Sequence, residues 1–173
     1  MITILISWLL IFYMISVTGI AVINRLKLAD EIAFIPFYGI VFQTLFIGIA
    51  AFFYKIGIAF FIVNSLLTLL LSFIFWSEVK SFLTTFFKSL NPKHKTFFGI
   101  FILLTAFKSA QVPTIFDNES YYIQTIKWLN EYGFVKGIAN VHPFLAQCSF
   151  WHVFQSGFNF SFVAFLFNDV NGL

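Results

Sequence analysis

A chain of 173 residues that is 60% hydrophobic and 10% charged, with a mean hydropathy of +0.93, has too few charges to cover a water-soluble globule, where about a quarter of residues are charged. A bilayer is therefore the expected solvent. The net charge of +3 fits lysines beside a membrane and argues against a nucleic-acid partner, and the single cysteine, Cys148, excludes an internal disulfide or a multi-cysteine zinc site.

No Lys or Arg precedes Arg25, so Ile2 to Ile23 lacks the positive flank of a signal peptide and reads as a retained first span. At 1.5 Å per residue it covers about 33 Å, enough for the hydrocarbon core. A polar loop, Asn24 to Glu31, ends it. From Ile32 to Trp76 the only charge is Lys55. That length suits two spans joined near Phe53 to Gly57, with Gly57 free to take a turn angle and Pro36 in the first turn of the second span.

Val79, Phe82, Leu83, Phe86, Phe87 and Leu90 then recur at helical spacing, with Lys80 and Lys88 off the stripe. This predicts an interfacial helix stopped near Asn91-Pro92. Phe97 to Val112 reads as a fourth span, interrupted by Lys108. Arg25, Lys27, Lys80, Lys88, Lys93 and Lys95 fall on one side of this layout, and Lys55, Lys127 and Lys136 on the other. The positive-inside rule then puts the N-terminus and Asp117 outside the cytoplasm.

After Pro113 the chain turns polar at Thr114 to Ser120. Asp117 or Asn118 is a good helix N-cap, and Glu119 suits the positive end of the helix dipole. Ile123, Ile126 and Leu129 make an apolar stripe. The expected helix runs from Ser120 to Tyr132, with Gly133 as its C′ residue folding Phe134 back on Leu129. The acids can simply cap this helix. Yet the chain has only seven acidic residues, and two of them flank Asn118. In an extended loop Asp117 and Glu119 point the same way, so they can grip one cation or one hydroxyl; in a helix they diverge by about 200°.

Further on, Cys148, His152, Gln155 and Asn159 share one helix face. A polar stripe on a membrane helix bonds neighbouring helices or walls a cavity. His142 and His152 lie about 80° apart on a helix and make no metal site with Cys148. No P-loop, GxSxG, CxxC or HExxH motif is present.

The series Asp117, Glu119, Tyr121, Tyr122, Trp128, Gly133 and Pro143 resembles the first extracytoplasmic loop of the GT-C membrane glycosyltransferases, which use polyprenyl-phosphate sugars, and a group of uncharacterised bacterial multi-span proteins of that type. The likeness covers Phe116 to Phe150. It implies the N-terminal part of a cell-envelope glycosyltransferase in a bacterial inner membrane. Asp117 first, and Glu119 second, would act as general base on the acceptor or help hold a divalent cation. The expected substrate contacts are Tyr121, Tyr122, Lys108, His142, His152 and Gln155. Lys108 would meet the leaving phosphate, although a lysine near a span end also snorkels to headgroups. The family places this loop after its first span; here it follows a fourth. The ending, Asn168 to Leu173, fits a piece of a longer enzyme.

The expected fold is all-α and polytopic, with about four to five spans and short interfacial helices. Residues 1–113 are the membrane bundle, with spans near 2–23, 32–53, 57–76 and 97–112 and an interfacial helix at 77–91. Residues 114–142 are an extracytoplasmic loop with an amphipathic helix, and 143–173 a further membrane helix. A transporter or flippase component and a non-catalytic structural subunit are the alternatives.

Overall fold

A computed structural model describes residues 1–28, 31–89, 91–111, 122–160, 162–163 and 170. Among them the chain is all α, with seven helices: α1 (Ile2–Leu26), α2 (Phe34–Ala51), α3 (Ile58–Ile74), α4 (Trp76–Ser89), α5 (Pro92–Ser109), α6 (Ile123–Tyr132) and α7 (Phe150–Gly157). Two short 3-10 turns, Ile138–Asn140 and Pro143–Ala146, link α6 to α7. Two helices, α1 and α2, are long and apolar enough to cross a membrane. A third span is present if α3 and α4, bent 91° apart, count as one.

The antiparallel pair α1–α2 is the spine, and its closeness is set by two glycines. A Cβ on Gly19 would lie 1.9 Å from the Ile35 carbonyl oxygen, and one on Gly39 would lie 1.8 Å from that of Ile15. Both obstacles are backbone, so neither can step aside. Small residues at such crossings let membrane helices approach where no hydrophobic effect drives them together. The main core forms on this spine, from Ile11, Met14 and Ile15 of α1 and Ile47 and Ala51 of α2, with Leu129 of α6 and Phe154 of α7 laid on top.

Helix α3 is inverted relative to a helix in water. Its buried residues are polar: Asn64 is 0% exposed, Thr68 3% and Ser72 4%, whereas Leu66 is 60% exposed and Phe73 79%. The spacing of four puts the three polar residues on one face, and that face meets α1 and α2. The Asn64 and Gln43 amides pair reciprocally, at 3.1 and 3.3 Å. Gln43 Nε2 also donates to Thr18 Oγ1 at 2.8 Å, and Tyr13 Oη donates to Ser72 Oγ at 2.7 Å. Polar side chains inside and leucines outside are the arrangement a lipid solvent favours. With the two long apolar helices, this points to a membrane protein.

At Phe75 the chain bends into α4, which lays Val79 and Phe82 against Val17, Ile20 and Ile35, with the Phe86 ring tilted against that of Phe12 at 5.4 Å. Asn91-Pro92 then begins a helix as well as ending one. The Asn91 side chain accepts from the Lys93 amide at 3.1 Å, and the proline stands in the first turn, so α5 starts five residues before the expected 97. Helix α5 meets the bundle through Ala106 against Ile4 and Trp8.

Three expectations need adjustment. Gly57 has φ −103, ordinary extended backbone, and closes the turn without any left-handed angle. Gly133 does end α6 with φ +73, and Phe134 packs against the cluster that holds Leu129, but its N–H goes to the Ala51 carbonyl at 2.7 Å rather than to a carbonyl of α6. In the stretch expected as a membrane helix at 143–173, the described residues hold the eight-residue α7. At 1.5 Å per residue that is about 12 Å, too short to cross a bilayer. Gly157 lets it sit close on α2, since a Cβ there would meet Ile47 Cδ1 at 2.4 Å.

Candidate functional site

Helices α6 and α7 pack on the end of the bundle that carries the α2–α3 turn, and Asn130 joins the three. Its Nδ2 donates to the carbonyls of Ile56 and Ser156, and its Oδ1 accepts from Asn159 Nδ2 at 2.6 Å. Ile56 N–H reaches the Leu129 carbonyl at 2.9 Å. A Cβ on Gly133 would lie 2.5 Å from the Ala51 carbonyl oxygen, so only glycine allows this docking.

On this platform the structure brings two expected site residues together: the rings of Tyr122 and His152 lie 5.1 Å apart. His152 is buried and is also the third residue of a capping box. Ser149 N–H donates to Nδ1 at 3.1 Å, and His152 N–H donates to Ser149 Oγ at 3.3 Å. An amide N–H can only donate, so Nδ1 is the unprotonated nitrogen and Nε2 carries the hydrogen. Burial lowers the His152 pKa below its ordinary value, which keeps the ring neutral at neutral pH. Gln155 is buried on the same helix. The stripe of His152, Gln155 and Asn159 thus faces protein. Cys148 is half-buried, and burial pushes its thiol up to about 11, so it is a poor nucleophile.

Other expected residues stand apart. Lys108 is exposed on α5 and donates to Gln111 Oε1 at 3.3 Å. His142 is exposed in the link between the two 3-10 turns, with its ring 5.5 Å from that of Phe144. Asp117, Glu119 and Tyr121, and with them the expected divalent cation, lie outside the described residues. Among the described residues, no three His, Cys, Asp or Glu side chains gather as metal ligands. Sequence reasoning missed Asn130, a lone polar residue with no periodicity to mark it. It also missed the α3 stripe, although Asn64, Thr68 and Ser72 at intervals of four were a readable signal.

A family model described as a domain of unknown function (DUF8201) matches residues 1–173. The chain belongs to this family. No curated protein matches it, and no solved structure does.

Proposed function

We propose that the chain is part of a membrane glycosyltransferase that takes a sugar from a polyprenyl-phosphate carrier during cell-envelope assembly in a bacterial inner membrane. The observation behind this reading is the Tyr122–His152 contact. It sets an aromatic ring and a neutral imidazole side by side on the α6–α7 platform, with Tyr122 three residues along the sequence from Glu119 and five from Asp117. Either acid would take the acceptor hydroxyl's proton as that oxygen attacks the anomeric carbon. Lys108, on α5, would serve as the cation for the departing phosphate. In this layout α5 completes the set of spans, the N-terminus and the α6–α7 platform share the extracytoplasmic side, and the lysine bias supports that orientation.

Two measurements test the proposal. An impermeant thiol reagent should label Asp117→Cys in a Cys148→Ser background in intact cells; labelling only after lysis would overturn the orientation. Asn caps a helix as well as Asp but cannot take a proton. Asp117→Asn or Glu119→Gln should therefore lower glycan transfer by about 10²-fold or more at matched expression. Full activity in both variants would leave the acids as caps. A second reading, a scaffold without chemistry, has one observation in its favour: Gln43 and Asn64 direct their amides at each other inside the bundle rather than along an open path.

A further inference from the structure

At the opposite end of the bundle, the close of α1, the start of α2 and the first turns of α4 enclose a cleft of about 780 Å³. Its wall is divided by chemistry. Asn24, Lys27, Ser77 and Glu78, all exposed, line part of it, and Leu28 and Ile32 supply apolar surface over the buried Ile23 and Phe82. Lys27 is the αL cap of α1, with φ 53, and stands in the lining of the cleft. Glu78 accepts a hydrogen bond from Ser77 Oγ. One cleft therefore presents an ammonium and a carboxylate beside an apolar surface.

We propose that this cleft seats a zwitterionic phospholipid with a primary amine, a phosphatidylethanolamine. Lys27 receives the phosphate, Glu78 receives the headgroup ammonium, and an acyl chain lies along Leu28 and Ile32. The charge pattern selects this lipid over its neighbours. An anionic glycerol headgroup offers Glu78 nothing, and a quaternary choline cannot donate the hydrogen bond a carboxylate accepts. The lipid would brace α4 against α1 across the 91° bend. This proposal is independent of the glycosyltransferase reading.

The test uses the full chain purified in detergent, with lipid retention measured by native mass spectrometry. Phosphatidylethanolamine, phosphatidylcholine and phosphatidylglycerol are supplied one at a time and in competition. The parent should retain phosphatidylethanolamine about tenfold over the other two, the scale of one charge-assisted hydrogen bond. Glu78→Gln should erase the preference over phosphatidylcholine while leaving retention itself, and Lys27→Gln should reduce retention of all three. Circular dichroism should show unchanged helix content in both exposed-site variants. Equal retention by the parent, preference for phosphatidylglycerol, or a preference that survives Glu78→Gln would each overturn the proposal.

Discussion

Helices α3 and α6 belong to one chain and obey opposite rules. Helix α6 buries Ile123, Ile126 and Leu129 and turns Lys127 and Glu131 outward, as a helix beside water does. Helix α3 buries Asn64, Thr68 and Ser72 and turns its leucines outward. The difference lies in the medium that covers each exposed face. For α6, removing apolar surface from water stabilises the fold. For α3, lipid is as apolar as leucine, so packing and hydrogen bonds must hold the helix. The bundle and the platform therefore have different vulnerabilities.

The largest effects should expose that difference directly. Ile126→Ala removes buried apolar volume from α6 and should cost about 2–5 kcal/mol in unfolding experiments. Leu66→Ala, at the exposed centre of α3, should leave the same measurement almost unchanged. Leu66→Asp should instead oppose insertion by about 3 kcal/mol, read as loss of protein from the membrane fraction. If Leu66→Asp inserts like the parent, water rather than lipid covers α3 and the comparison fails.

A smaller effect is expected at Asn64. Asn64→Leu leaves the Gln43 amide with Thr18 as its remaining partner and should cost about 0.6 kcal/mol, and at most about 1.7. Reversible unfolding in mixed micelles measures this. A loss as large as that of Ile126→Ala would mean that the pair is held by more than interhelical bonding.

The smallest effect concerns pH and belongs to α7. Because the folded His152 pKa lies below its ordinary 6.5, the unfolded chain takes up the proton first as pH falls. The ring's contribution to stability is complete above about pH 6.5 and declines below it, down to the lowered folded value. His152→Asn keeps an acceptor near the Ser149 amide but does not titrate. The unfolding temperature of the parent should therefore fall more steeply than that of this variant between pH 6.5 and 5. Parallel curves would show that His152 is protonated without cost in the fold.

Much of the fold was legible because hydropathy reports the medium. The runs at Ile2 to Ile23 and from Ile32 lie where α1 and α2 lie, and the Asn91-Pro92 and Gly133 signals stand at helix ends. The residues from 143 onward were harder to read because the same apolar letters serve two purposes. Phe154 and Phe158 fall in the stretch that reads as a membrane helix, yet they are buried in the core that α7 shares with Ile47 and Ala51 of α2. Composition cannot say whether a phenylalanine meets a lipid tail or an isoleucine. In the candidate site, the shared face of His152, Gln155 and Asn159 was readable from spacing alone. The Tyr122–His152 contact was not, since it depends on how two separate helices dock, and that docking is set by the Asn130 hydrogen bonds and by Gly133.

Asn130 also fixes an order of events. Its partners Ile56 and Ser156 lie 74 residues before it and 26 after it. During synthesis the α2–α3 turn is made well before Asn130, whereas the Ser156 carbonyl follows it. The platform is thus assembled last, onto a hairpin already in place. A released chain that stops between residues 133 and 150 has no Ser156 carbonyl, so α6 is tied only to the α2–α3 turn, through Ile56, and is more open to protease than in the full chain.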